Sequence, residues 1–329
     1  MYRITPPGCA QLVALTTLAL LPLFAQAQKF PERPVRLVVP FAPGGVNDII
    51  ARRYAAEMTR VLCQTMIVEN KAGASGAIGS TDAARARPDG HTLLIANTTT
   101  HVINPIAMSN LTYDAVKDFA PIAVITVVPT GVAVHPSLPV RSLKQLVAFA
   151  KTHPGRLSYG SAGAGSITNL TGELFKKLGG GLKIVHVPYK GAGPGLQDLV
   201  AGHIPMYTPT ISAAPLSYHK EGRIRMLAVC AEKRLAAAPD IPTVIEAGMP
   251  EMVVYAFNAI FATAGTPKPA LDQLHQATLK VMADRDFQEF LRKAGAEPVT
   301  DSSPDKTAAF MRKEIARWTP IINEAGLKK

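Results

Sequence analysis

The sequence predicts an α/β protein of two lobes, each a mainly parallel sheet flanked by helices. Strand-like and helix-like stretches alternate along most of the chain, glycine-rich turns join strand ends to helix starts, and one long apolar passage near the middle has no helical period.

The elements follow in order. Residues 35–41 form the first strand, and residues 47–62 a helix with apolar side chains at Ile49, Ile50, Ala56 and Val61. "TMIVEN" is a second strand, "GAIGSTDAARA" a small-residue helix and "HTLLIAN" a third strand. "APIAVITVVPTGVAVHP" is read as strands crossing from one lobe into the other. The second lobe then has a helix in "SLKQLVAFAKTHP", a strand in "LSYGSAG", a helix in "SITNLTGELFKKLG", a strand in "KIVHVPY" and a helix in "GPGLQDLVAG". "RIRMLAVCAEKR" reads as the return crossing, and three helices close the chain. Lobe I is therefore discontinuous, 28–127 with 228–329, and lobe II is the insertion 128–227.

Residues 1–27 have the pattern of a secretory signal peptide: Arg3, a nearly unbroken apolar run over 12–24, and small residues before a cut after Ala27. Pro22 interrupts the run, which is too short to span a bilayer. Cys9 precedes it, where a lipoprotein leader would place its cysteine after it. The expected location is the periplasm.

With 47% hydrophobic residues and a mean hydropathy of +0.14, the chain has ample material for a core. Losing Arg3 with the leader takes the formal charge from +11 to +10, which favours anionic partners. The basic residues are scattered and not interleaved with aromatics, so no nucleic acid is expected. Cys63 and Cys230 are far apart and in no C-x-x-C spacing, and are expected to stay unbridged.

Where "VVPFAPGGVND" leads into a helix, unpaired first-turn N–H groups and the positive end of the helix dipole face the end of a sheet, an anion-receptive arrangement without a charged side chain. Gly44 and Gly45 let a ligand approach the backbone. Equally, they make only a tight turn, with Asn47 or Asp48 as the helix cap. Asp48 reads as a cap or brace, since its charge repels a carboxylate. "GSAGAGSITN" repeats the layout with Ser161, Gly165, Ser166, Ile167 and Thr168, so the two turns face each other across a cleft. "ANTTTHVINP" adds Asn97, Thr98, Thr99 and Thr100 as donors, with His101 an isolated loop histidine.

Enzymatic signatures fail. "YGSAG" lacks the spacing of a nucleophile elbow, no H-E-x-x-H or phosphate-loop motif occurs, and no acidic residue ends the strand after the glycine pattern. Neither metal nor cofactor is expected.

The passages "VPFAPGGVNDIIAR", "VEN-KAGASGAIG", "PDGHTLL", "YGSAGAGSITNLTGELFKK", "VHVPYKGAGPGLQDLVAGHI", "PDIPTVIEAG" and "GAEPVTDSSPDKTAAFMRKEIARWTPII" occur in one order over essentially the whole chain after its leader. Together they resemble the Bug-type solute receptors, the extracytoplasmic binding proteins of tripartite tricarboxylate transporters. The resemblance implies a two-lobed periplasmic-binding-protein fold of type II, a Venus flytrap closing on a small carboxylate, with no cofactor and no catalysis. It implies a grip by the first strand-helix loop (Phe41, Gly44, Gly45, Val46, Asn47, Asp48) and by the loop from Ser161 to Thr168. Where relatives often carry acidic or amide residues at the distal end of the pocket, "GHIPMYTPTISAAP" has Thr208, Thr210 and Ser212. That uncharged rim favours a carboxylic acid without a free amine. Lys190 in "VPYKGAG" is either a counter-ion for the ligand or a brace. The implied partners are the membrane subunits of a transporter or, alternatively, a membrane sensor, and the receptor is expected to be a monomer.

Overall fold

A computed structural model of the protein describes residues 1–2, 30–189, 191–324 and 326–327. Residues 3–27 of the leader, its cleavage site and Lys190 lie outside them.

The first sheet is built from β1 (Val35–Val39), β2 (Met66–Asn70), β3 (Thr92–Asn97), β4 (Phe119–Pro129), β10 (Tyr255–Thr263) and β11 (Glu297–Pro298), in the order β11-β4-β10-β3-β1-β2. Helix α1 (Val46–Leu62) follows β1, α2 (Ala77–Ala84) follows β2, and a short α3 (Asn104–Ala107) follows β3. The second sheet holds β5 (Gly131–Val134), β6 (Leu157–Ser161), β7 (Ile184–Pro188), β8 (Met206–Tyr207) and β9 (Arg225–Val229), in the order β7-β6-β8-β5-β9. Its helices are α4 (Leu143–Thr152), α5 (Ile167–Leu178), α6 (Ala192–Ala201) and α7 (Ala213–Lys220). The chain closes with α8 (Lys268–Ala283), α9 (Arg285–Lys293) and α10 (Pro304–Glu324).

Helices cover both faces of the first sheet, as largely apolar strands such as β1 and β3 require. On one face Ile50, Tyr54 and Met58 of α1 pack with Leu274 and Val281 of α8 and Phe287 of α9. The Tyr54 hydroxyl is bonded to Thr278 at 2.7 Å, which satisfies the polar tip of a side chain that is otherwise wholly buried. Across the sheet, Trp318 and Ile322 of α10 join a core that continues into the second sheet through Leu170, Leu174 and Phe175 of α5. Leu196 and Leu199 of α6 and Leu216 of α7 cover the second sheet's other face.

The expectation of mainly parallel sheets is corrected to mixed ones. β1 pairs in parallel with β2 and β3, and β6 with β7 and β8. β10, however, lies antiparallel between β3 and β4, and β5 is antiparallel to both β8 and β9. The cause is the connectivity. A chain that crosses between sheets and later returns enters each sheet in the opposite sense to the strands beside it. The passage read as the return crossing is also refined, since Arg225–Val229 is an edge strand of the second sheet and the return takes the following residues. Both passages are stitched together between the sheets: Cys230 N–H donates to Thr130 O at 2.8 Å, Val254 N–H to Cys230 O at 2.9 Å, and Thr130 N–H to Val254 O at 3.1 Å.

Candidate functional site

A cleft of about 250 Å³ opens between the two sheets. Its walls include Val46 and Asn47 at the start of α1, Ile167 at the start of α5, Ala192 at the start of α6 and Ser212, the N-cap of α7. Four helices therefore begin at this one space, and each carries roughly half a positive charge at that end. The floor is Val128 of β4 with Ala256, Phe257 and Asn258 of β10; Asn97, Thr98 and Thr99 close one side, and Thr210 and Ile211 another. Among the described residues, no ionisable side chain lines the cleft.

The helix starts differ in what they offer. Gly45, the N-cap of α1, has no side chain to give, and no side chain caps α1, α6 or α7. Gly44 sits at φ +82°, where an L side chain is strained, so its glycine is required by the turn itself. Asp48 holds this loop from below: it accepts from Gly44 N–H at 2.9 Å, Arg52 Nε at 3.0 Å and Asn70 Nδ2 at 2.8 Å. Burial works against the Asp48 carboxylate, but the bonds from Arg52, Gly44 and Asn70 together outweigh it and hold its pKa below the usual value. Asn70 also donates to Phe41 O at 3.1 Å.

The second loop is largely satisfied within itself. Ser166 Oγ accepts from Asn169 N–H, Asn169 Oδ1 from Gly165 N–H, Thr168 Oγ1 from Ala162 N–H and Ser161 Oγ from Gly163 N–H. The Ser161 hydroxyl is also 2.7 Å from His186 Nε2. That Ser–His contact is a brace, because Ser161 is wholly buried and also bonded to its own loop. The Thr208 hydroxyl donates to Thr168 O at 2.6 Å behind the cleft wall.

Of the residues singled out in the sequence, Val46, Asn47, Asn97, Thr98, Thr99, Ile167, Thr210 and Ser212 line the cleft. Phe41, Gly44, Gly45, Asp48, Ser161, Gly165, Ser166, Thr168 and Thr208 lie in the loops behind or beside that lining. Phe257, Asn258, Ala256, Val128, Ile211, Ala192 and Ala294 line it without having been singled out. One of them left a trace: Asn258 interrupts the apolar strand "YAFNAIFAT", and an amide inside such a strand asks for a partner.

His101, read as a loop histidine, is wholly buried inside the first lobe against Phe119 and Phe261, with ring centroids at 4.8 and 4.5 Å. Burial pushes its pKa down to about 3. Cys63 is exposed and Cys230 buried, and both are free. Among the described residues no cluster of His, Cys, Asp or Glu has the makings of a metal site, and no helix is long and apolar enough to cross a membrane.

Two sheets with a cleft between them, ringed by helix N-termini and lined by no charged side chain among the described residues, define a solute-binding protein of the periplasmic type. The particular family follows from comparison: the chain belongs to the TctC family, described as the tripartite tricarboxylate transporter family receptor, whose model matches residues 50–327. Among solved structures it is similar to the periplasmic binding protein BugD, at 32% identity and a TM-score of 0.76, covering 91% of this chain and 100% of that one. It is similar also to a Rhodopseudomonas palustris protein solved with adipate, at 35% identity and a TM-score of 0.78, over 90% and 98% of the two chains. MatC of Rhodopseudomonas palustris, with bound malate, is 33% identical with a TM-score of 0.75, over 89% and 100%. These relatives are binding proteins, and the chain is a receptor and not an enzyme.

Proposed function

We propose that this protein is an extracytoplasmic receptor that closes its two lobes on a small carboxylate and delivers it to the membrane subunits of a tripartite tricarboxylate-type transporter. The observation that carries the reading is a cleft at which four helices begin and which no charged side chain lines among the described residues. Such a site holds an anion by backbone N–H groups, amides, hydroxyls and bridging water. It offers no carboxylate to an ammonium group, so the ligand is a carboxylic acid without a free amine. The adipate and malate in related structures are acids of this kind.

Residues 28–127 with 228–329 form one lobe in this reading and residues 128–227 the other, and the paired crossings at Thr130 and Cys230 are where they turn on each other. The leader sends the chain to the periplasm, where it works as a monomer. The ligand grip extends from the lining into the loops of Gly44, Gly45, Asp48, Ser161, Gly165, Ser166 and Thr168, which set the shape of the backbone donors.

Thermal unfolding of residues 28–329 with a panel of organic acids, amino acids and neutral analogues at matched ionic strength tests this. An acid at about a hundred times its dissociation constant adds roughly 2.7 kcal/mol, a shift of several degrees. Tighter binding of aspartate or glutamate than of every amine-free acid contradicts it.

A further inference from the structure

The cleft's two unpartnered amide atoms are of opposite kind. Asn47 Nδ2, at the start of α1, is a buried donor without a partner, and Asn258 Oδ1, on the floor, is a buried acceptor without one. Asn258 is only 4% exposed. Its position is fixed by the sheet: in β10 it stands in register with Asn97 of β3 on one side and Thr126 of β4 on the other. Neighbours in register point to the same face, so the three form a polar row across an apolar sheet.

Each end of the row is anchored. Asn97 Oδ1 accepts from Thr100 N–H at 3.1 Å. Asn258 Nδ2 donates to Thr126 Oγ1 at 2.9 Å, and Thr126 is wholly buried. Thr126 thus positions the Asn258 amide and leaves its oxygen for whatever enters the cleft. An orphaned buried acceptor is costly, by about 1–3 kcal/mol, and its natural explanation is a group that arrives with the ligand.

A carboxylate has only acceptors and satisfies Asn47 Nδ2 and the helix starts, but it repels Asn258 Oδ1. An ammonium suits that oxygen, yet finds no counter-charge and meets the positive ends of the helices. A hydroxyl donates to Asn258 Oδ1 at no charge cost, and it still accepts if the amide turns over and Thr126 becomes the donor. We infer that the ligand is a hydroxycarboxylic acid, and that Asn258, positioned by Thr126, is the residue that reads its hydroxyl. This rests on the carboxylate-receptor reading and narrows it. The cleft volume of about 250 Å³ limits the ligand to a small one.

The test is calorimetric titration of residues 28–329 with acids matched but for the hydroxyl: malate and succinate, lactate and propionate, 3-hydroxybutyrate and butyrate. In at least one pair the hydroxy acid is expected to bind roughly tenfold or more tightly. In Asn258→Leu that pair should come within about threefold, because the hydroxy acid weakens more than its deoxy partner. Thr126→Val, which loosens the amide but leaves it in place, should lower the preference only partly, which separates loss of the reading group from loss of the fold. Deoxy acids binding as well as or better than every hydroxy partner in the unmodified protein overturn the inference and leave the receptor reading intact. So does an unchanged preference in Asn258→Leu. Binding of no acid at all removes the receptor reading, and the inference with it.

Discussion

Gly295, between α9 and β11, is where the first lobe touches the second beside the cleft. A Cβ built on it would lie 2.7 Å from Ser212 Cα and 2.8 Å from Ile211 O, both backbone atoms of the segment before α7. Relaxed contacts of carbon with such atoms are about 3.5 Å or more, so Gly295→Ala requires a local separation of roughly 0.7 Å or more. No flexible side chain is there to give way. Overpacking of this kind costs about 1–3 kcal/mol where the parts are fixed. Here the parts belong to different lobes, and the cheapest relief is to part them, so if lobe closure presses this contact together the penalty falls on the ligand-holding form. A penalty of that size weakens binding by about 5- to 150-fold. Gly295 also has φ +82°, and an alanine in that region is strained by about 1–2 kcal/mol in either form. The variant should therefore unfold a few degrees earlier without ligand and bind far less tightly with it. Calorimetric titration with the best acid of the panel, beside thermal unfolding of the free protein, separates the two effects. An affinity within about twofold of the unmodified protein, with the expected drop in stability, would falsify the idea that this contact senses closure.

Other perturbations bear on the frame around the site. His101 has its pKa pushed down to about 3 by burial, below the ordinary 6.5, so the fold favours the neutral ring. Its contribution is complete above pH 6.5 and is lost as pH falls, by about 2 kcal/mol at pH 5. His101→Phe should flatten the melting temperature between pH 6.5 and 5; an unchanged slope would assign the acid sensitivity elsewhere. Gly172→Ala places a Cβ 2.1 Å from Cε2 of the Tyr159 ring, which is wholly buried and bonded through its hydroxyl to Glu173 and Asn169. The gain in helix propensity, at most about 1 kcal/mol, is smaller than the overpacking cost of about 1–3 kcal/mol, so the denaturant midpoint should fall. A midpoint that rises means the ring moves aside freely. A thiol reagent should label Cys63 in the native protein and Cys230 only after unfolding, since burial pushes the Cys230 thiol up to about 12. Equal labelling rates would show that the junction between the lobes opens often.

The elements that carry their own local signal were legible in the sequence. The first-lobe helix after Gly44 and Gly45, the second-lobe helix after Ser166 and the three closing helices all announce themselves by glycine, cap and apolar period. β8 and β11, two residues each, carry no such signal, because they are fixed by partners far along the chain. The sheet order was hidden for the same reason. β10 is inserted between β3 and β4 by the route of the chain through the other lobe, and no local pattern records that route. Within the site, small loops and helix starts were visible, but the floor came from β10, a stretch to which the sequence reading assigned no element. Thr168 and Thr208 look like ligand groups in a sequence of hydroxyls, while the fold spends both hydroxyls on its own backbone.

In the proposed function an acid is held here by helix starts and amides, with no counter-ion among the described residues. Calorimetric titration of residues 28–329 with the best-bound acid and with the primary amide of that same acid tests this grip. The acid should bind saturably, and the amide, which keeps the shape and removes the charge, should bind at least about tenfold more weakly. An amide that binds as tightly as its acid would contradict it.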